Sequence, residues 1–241
     1  MNDVIQNLYQ ESVSPEHKLG ELFIDPQGRK FRYVQAGAVA LVTGHLLQEP
    51  AEDTNYRSMV VNTAAAIGSF EVKVTLGGTA VTANQFENGD LLVESGTGAG
   101  QLFKIVSHDV QTSTTGSCTF KVDRPIAIAL VATTTQVSVR KSSYDGVIDF
   151  PTTPTGAPVG VALYAMTAAY YGWIQSGGDG TVLFDNTDNS AADAEGIVPS
   201  TTVAGSVKAA LAADVADRLL GWSREEVSVD STNGFVHLTI D

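Results

Sequence analysis

The chain has 241 residues, of which 43% are hydrophobic and 17% charged, and its formal net charge is −13. This composition predicts a folded chain with a substantial core and excludes an intrinsically disordered one. The negative charge argues against nucleic acid and anionic membranes as partners, because both are bound through Lys and Arg.

The chain has one cysteine, Cys118, so an internal disulfide and a cysteine-based zinc site are excluded. Its context, "GSCTFKV", predicts a strand with a buried thiol. No apolar run approaches the roughly 20 residues of a membrane span. The opening "MNDVIQNLYQ" lacks the features of a secretory signal. We therefore expect a protein made in a reducing cytoplasm.

Residues 1–19 differ from the rest, being polar with a few apolar positions such as Val4, Ile5 and Leu8. They predict an N-terminal arm, which is either extended or forms one or two helical turns. Terminal segments are usually loose unless they dock on something.

Residues 21–34, "ELFIDPQGRKFRYV", predict a β-hairpin around the turn "DPQG". Phe23 and the pair Phe31 and Tyr33 occupy its apolar faces. The basic residues Arg29, Lys30 and Arg32 either pair with an acidic partner surface or form a solvated strand edge.

Short strands separated by turn residues follow. In "FEVKVTL", residues 70–76, we expect Phe70, Val72, Val74 and Leu76 to face the core and the polar residues to face water. Such alternation is typical of antiparallel sheets with one wet face.

A glycine-rich stretch, "DLLVESGTGAGQLFKIVS" at residues 90–107, suggests a phosphate site at first sight. A P-loop needs Gly-Lys-Ser/Thr, but Gly100 precedes Gln101, and the spacing of Gly96, Gly98 and Gly100 misses the dinucleotide fingerprint. A strand follows where a helix should begin. The stretch therefore predicts a tight turn between two strands.

Three later segments are less regular. The proline-rich residues 147–160 predict a linker or crossover. Residues 167–178 gather three aromatic residues, and alternation places Tyr171 and Trp173 on one face and Tyr170 on the other. They form a core, an interface or a sugar platform. For residues 204–223, propensity favours a helix and two strands equally.

Motifs for chemistry are weak. The acidic stretch "DNTDNSAADAE" starting at Asp185 departs from a calcium loop at Ser190 and Gly196. The four histidines are isolated, and no nucleophile elbow occurs. We therefore predict no enzyme, no metal and no cofactor.

Segments 28–48, 90–108 and 157–183 resemble segments of tailed-bacteriophage head proteins. The shared features are the "RYVQAG" strand, an Ala-Leu-x-x-Gly-x-Leu-x-Gln turn, a "GVA" strand and "YGWIQ" before a glycine pair. The chain thus resembles the small β-barrel capsid decoration (cement) proteins, with the glycine-rich hairpin resembling an inserted β module. The segments cover under half of the chain and contain no catalytic motif.

The resemblance implies an all-β fold. A small β-barrel or sandwich is expected from residues 20–55 and 147–241, with a second antiparallel β module inserted at residues 56–146 and an arm at residues 1–19. It also implies that "RLLGWSREEVSV" and "FVHLTID" are closing barrel strands.

The implied function is that of a virion structural protein without catalysis. It would bind the outer capsid surface as a homo-oligomer, a trimer, and bridge subunits of the major capsid protein. The alternative is a glycan-binding β module of a phage fibre, tail or other virion part. We predict capsid or subunit contacts at these residues: Val4, Ile5, Leu8, Tyr9, Arg29, Lys30, Arg32, Tyr171 and Trp173.

Overall fold

The structure is a computed structural model that describes residues 7–186, 192–211, 214 and 218–241. Among the described residues, the regular elements with complete bounds are strands and the 3-10 helix Thr54–Tyr56. The predicted all-β fold class is confirmed.

The described residues form sixteen strands, numbered in chain order. They are β1 Leu22–Ile24, β2 Lys30–Ala36, β3 Leu46–Gln48, β4 Met59–Thr63, β5 Glu71–Thr75, β6 Asp90–Ser95, β7 Leu102–His108, β8 Ser117–Val122, β9 Gln136–Arg140, β10 Asp145–Asp149, β11 Pro158–Ala162, β12 Tyr171–Phe184, β13 Gly196–Pro199, β14 Val207–Ala209, β15 Gly221–Ser223 and β16 Thr232–Thr239.

The chain divides into two compact units. The inserted unit is Glu52–Ser142, whereas the sequence predicted an inserted module at residues 56–146. The outer unit combines Met1–Ala51 with Ser143–Asp241.

The inserted unit is a closed barrel with strand order β4-β5-β8-β7-β6-β9, and all its pairings are antiparallel. Its core follows the alternation in the sequence, because Val72, Val74 and Leu76 are buried. Phe70 was predicted to join them but is 51% exposed. It lies one residue before β5, and its carbonyl oxygen still accepts a hydrogen bond from the Val122 nitrogen at 2.9 Å.

The outer unit is a ten-stranded sheet that closes on itself twice, because β12 pairs with β2 and also with β16. The first ring has the order β2-β10-β3-β11-β12, and the second has the order β12-β14-β13-β15-β16. Strand β12, with 14 residues, belongs to both rings. Residues Tyr171–Gly177 pair with β2, and Gly177–Phe184 pair with β16.

Each ring has its own apolar core. Val34, Leu47 and Ile174 belong to the first, and Val182 and Phe184 belong to the second. The first half of β12 thus contributes its inward residues to the core of the first ring, and the second half contributes its inward residues to the core of the second ring. The predicted β1–β2 hairpin is confirmed.

The segment at residues 204–223, for which helix and strands were both open, contributes β14 and β15 where it is described. Strands β15 and β16 close the second ring, as the resemblance implied.

Candidate functional site

Residues 7–19, here called the N-terminal segment, dock on the outer unit of their own chain. Ser12 and Tyr171 form a β-bridge with two backbone hydrogen bonds of 2.9 Å. The Tyr164 hydroxyl donates to the carbonyl of Gln10 at 2.8 Å, and burial raises the pKa of this tyrosine. The sequence predicted an arm that is loose unless it docks, and the described part is docked. Val4 and Ile5 lie outside the described residues.

Beneath this segment lies a cluster of buried aromatic residues: Phe31, Tyr33 and Trp173. Trp173 is 3% exposed. The ring of His17 from the N-terminal segment lies 5.2 Å from that of Trp173. Leu8 packs against the same cluster. The N-terminal segment therefore covers this aromatic surface. Burying several large rings stabilises the docked segment.

Two of the predicted contacts, Tyr171 and Trp173, are on the same face of β12, as alternation predicted. The Tyr171 ring stacks on Tyr33 with centroids 6.3 Å apart. Tyr170 packs instead against the core of the first ring. Of the other predicted apolar contacts, Leu8 joins this cluster, whereas Tyr9 is 63% exposed beside Tyr164.

The predicted basic contacts already have partners in the chain. Arg29 Nε donates to Asp25 Oδ2 at 2.6 Å. Arg32 Nε donates to Asp241 Oδ2 at 2.5 Å, and Lys30 Nζ donates to the backbone oxygen of Asp241 at 2.9 Å. The charges of Arg29 and Arg32 are therefore compensated by carboxylates before any partner binds.

A second surface was missed by the sequence analysis. Strands β15, β16 and β12 lie side by side, and their outward residues form two rows, here called the exposed sheet face. Its six residues are Trp222, His237 and Asp179 in one row and Arg224, Phe235 and Thr181 in the other. Period-two alternation in "FVHLTI" is the signal, because Phe235 and His237 alternate with the buried Val236, Leu238 and Ile240.

Charged and aromatic contacts order this face. Asp179 accepts a hydrogen bond from Arg224 Nη1, and His237 Nδ1 lies 2.7 Å from Asp179 Oδ1. The bond with His237 is the main cause that holds the pKa of Asp179 below its ordinary value. Trp222 stacks on His237 with centroids 4.5 Å apart and an interplanar angle of 15°.

A groove of about 310 Å³ opens beside the exposed sheet face. Asp179, Arg224 and Phe235 line it, together with Tyr9 and Arg29. The groove therefore brings two predicted contact residues next to this second surface.

The inserted unit carries an outward apolar stripe. Leu92 on β6 and Leu102 on β7 are cross-strand partners, and Val106 lies on the same face of β7 beyond the exposed Lys104. Their exposed fractions are 40%, 50% and 52%. This stripe was also not predicted.

The glycine-rich stretch is a turn, as predicted. It joins the antiparallel β6 and β7, and Gly96, Gly98 and Gly100 all have positive φ. The Gln101 side chain anchors the loop to Ile128. Its amide nitrogen donates to the Ile128 carbonyl, and its amide oxygen accepts from the Ile128 backbone nitrogen. This geometry presents no helix N-terminus to a phosphate.

The first residue of the calcium-like stretch is buried. Asp185 accepts hydrogen bonds from the hydroxyls of Ser200, at 2.5 Å, and Thr202. Thr187 and Asn189 lie outside the described residues. Within the described ranges, no group of three or more His, Cys, Asp or Glu side chains could hold a metal ion.

Over the same part of the chain, no helix is long and apolar enough to cross a membrane.

Comparison with protein families finds no family model that matches this chain, and comparisons with curated proteins and with solved structures find no significant match.

Proposed function

We propose that this chain is a virion structural protein that binds the outer surface of a bacteriophage capsid. It stabilises the capsid by bridging neighbouring subunits of the major capsid protein, without catalysis. The resemblance of segments 28–48, 90–108 and 157–183 to capsid decoration proteins supports the proposal.

One structural observation favours bridging: each compact unit has its own exposed apolar side chains. The outer unit exposes Tyr9 and Val13, by 63% and 71%, and the inserted unit exposes the stripe that includes Leu92 and Leu102. Exposed apolar groups of this kind, in a chain of net charge −13, suit partner contacts. A bridging protein requires at least two such surfaces.

The proposed assembly is a homotrimer on the capsid surface. Each contact is small, but simultaneous contacts by a symmetric oligomer increase the overall affinity strongly. The solution mass tests this part, because a trimer has three times the chain mass of 25.3 kDa. A monomer at micromolar concentration would contradict it.

Capsids that lack this protein provide the main test. We expect the purified chain to co-sediment with them and to raise the temperature at which they release DNA. Val13→Asp should weaken binding about tenfold, because it places a charge in an apolar contact. Val39→Asp is the matched control, since both valines are 71% exposed.

Two results would overturn the proposal: wild-type protein that does not bind capsids, or Val13→Asp and Leu102→Asp variants that both bind as wild type. Deleting residues 1–19 is a poorer test, because it uncovers Trp173 and the neighbouring rings. The glycan-binding alternative placed its platform at Tyr170, Tyr171 and Trp173. Trp173 is 3% exposed, so its ring cannot stack on a sugar in this structure.

A further inference from the structure

The exposed sheet face has the composition of a small-ligand site. Trp222 is 42% exposed and Phe235 is 61% exposed. Phe235 lies two residues from His237, the cross-strand partner of Trp222, so the two rings are diagonal neighbours on one face. Neither ring belongs to the apolar core of the second ring, so both present aromatic surface to a binding partner.

Hydrogen-bonding groups beside these rings are held in place. Asp179 is fixed between Arg224 and His237. Three nitrogen atoms make no hydrogen bond within the described part of the chain and are available to a ligand: Arg224 Nε, Arg224 Nη2 and His237 Nε2. Donors therefore stand next to a carboxylate acceptor at the edge of an apolar surface.

The local charge decides between ligand classes. Arg224 is neutralised by Asp179, and Arg29, which also lines the groove, is neutralised by Asp25. A phosphate or carboxylate would find the positive charge of both guanidinium groups already compensated by a carboxylate. A hydroxyl group suits the site better, because it can donate to Asp179 and accept from Arg224 at the same time.

We infer that the exposed sheet face and its groove bind neutral pyranose units of a glycan. The C–H face of a pyranose ring packs on Trp222 or Phe235, and neighbouring hydroxyl groups bond to Asp179, Arg224 and His237. The groove volume of about 310 Å³ is at the lower end of ligand pockets, roughly 300–1,000 Å³, and suits one or two sugar rings. This inference does not depend on the proposed capsid function.

The test uses the full-length chain and an array of immobilised neutral and anionic oligosaccharides. Hits are followed by titration with the free neutral disaccharide and measurement of tryptophan fluorescence. We expect at least one neutral pyranoside to bind and to change the emission of a Trp173→Phe variant, which keeps only Trp222. Phe235→Ala and Asp179→Asn should each weaken binding about tenfold.

Phe70→Ala on the inserted unit is the matched control, because it also removes an exposed phenylalanine. Phe70 is 51% exposed and Phe235 is 61% exposed, and the two are distant in sequence. It should bind as wild type. The circular dichroism spectrum checks that each variant is folded, and the exposure of Phe235 and Asp179 makes misfolding an unexpected result. The inference is overturned if no neutral saccharide binds, if only anionic ones bind, or if Phe235→Ala and Asp179→Asn bind as wild type.

Discussion

Arg32 shows at the residue scale how distant positions combine. Its Nε and Nη2 donate to the two carboxylate oxygens of Asp241, at 2.5 and 3.1 Å, across 209 positions of sequence. Two parallel bonds between a guanidinium and a carboxylate are stronger than one. The hydrogen bond from Arg32 is the main cause that lowers the pKa of Asp241 below its ordinary value of 3.8.

Asp241→Asn should therefore lower the free energy of unfolding at pH 7 by about 1 kcal/mol, a modest value because the pair is partly exposed. A carboxyl whose pKa is lower in the folded state stabilises the fold above its unfolded pKa of about 4. That contribution is lost as the pH falls through the lower folded value. Urea unfolding followed by tryptophan fluorescence at pH 7 and pH 3 measures the difference.

The difference between wild type and Asp241→Asn should shrink at pH 3, and a difference that stays constant would contradict the role of the ion pair. Glu226→Gln is the control, because Glu226 is exposed and has no hydrogen bond in the described chain. It should leave the unfolding free energy unchanged at both pH values.

At the element scale, the β6–β7 hairpin depends on glycines for two separate reasons. Gly96 and Gly100 have φ of +81° and +90°, which side chains disfavour. A Cβ at Gly96 would also lie 2.7 Å from the carbonyl oxygen of Thr134, whereas a Cβ at Gly100 would have no neighbour within 4 Å.

Gly100→Ala should therefore lower the stability of the inserted barrel by about 1 kcal/mol, and Gly96→Ala should lower it further. Reactivity of the Cys118 thiol in urea reports on this barrel, because Cys118 is buried in its core. The midpoints should follow the order wild type, Gly100→Ala, Gly96→Ala. Equal losses would show that the contact with Thr134 relaxes without cost.

At the scale of the whole molecule, each compact unit has its own core and its own probe. Cys118 belongs to the inserted unit, where burial raises its pKa to about 11. Both tryptophans, Trp173 and Trp222, belong to the outer unit. Because the thiolate is the reactive form, native Cys118 should react slowly with thiol reagents at pH 8.

Val182→Ala tests whether the two units unfold separately. Val182 is fully buried in the second ring, so the substitution should cost about 2 kcal/mol. We expect the tryptophan transition to move to lower urea while the Cys118 transition stays in place. A parallel shift of both transitions would show that the units unfold together.

The sequence by itself determined the all-β class, the β1–β2 hairpin, the glycine turn, the burial of Cys118 and the shared face of Tyr171 and Trp173. These follow from local rules, because alternation and turn chemistry act over a few residues. Phe70 shows where such rules end, because it is exposed although its position continues the alternation of β5.

Only the tertiary structure decided how the strands close into rings, how the N-terminal segment covers Trp173, and where Trp222 is left exposed. Both tryptophans lie on strands of one unit, and no local pattern distinguishes them. Trp173 is buried because residues 7–19 cover it, whereas Trp222 stays 42% exposed on the outward face of β15. Burial outside a core depends on what lies above a strand, and that comes from distant parts of the chain.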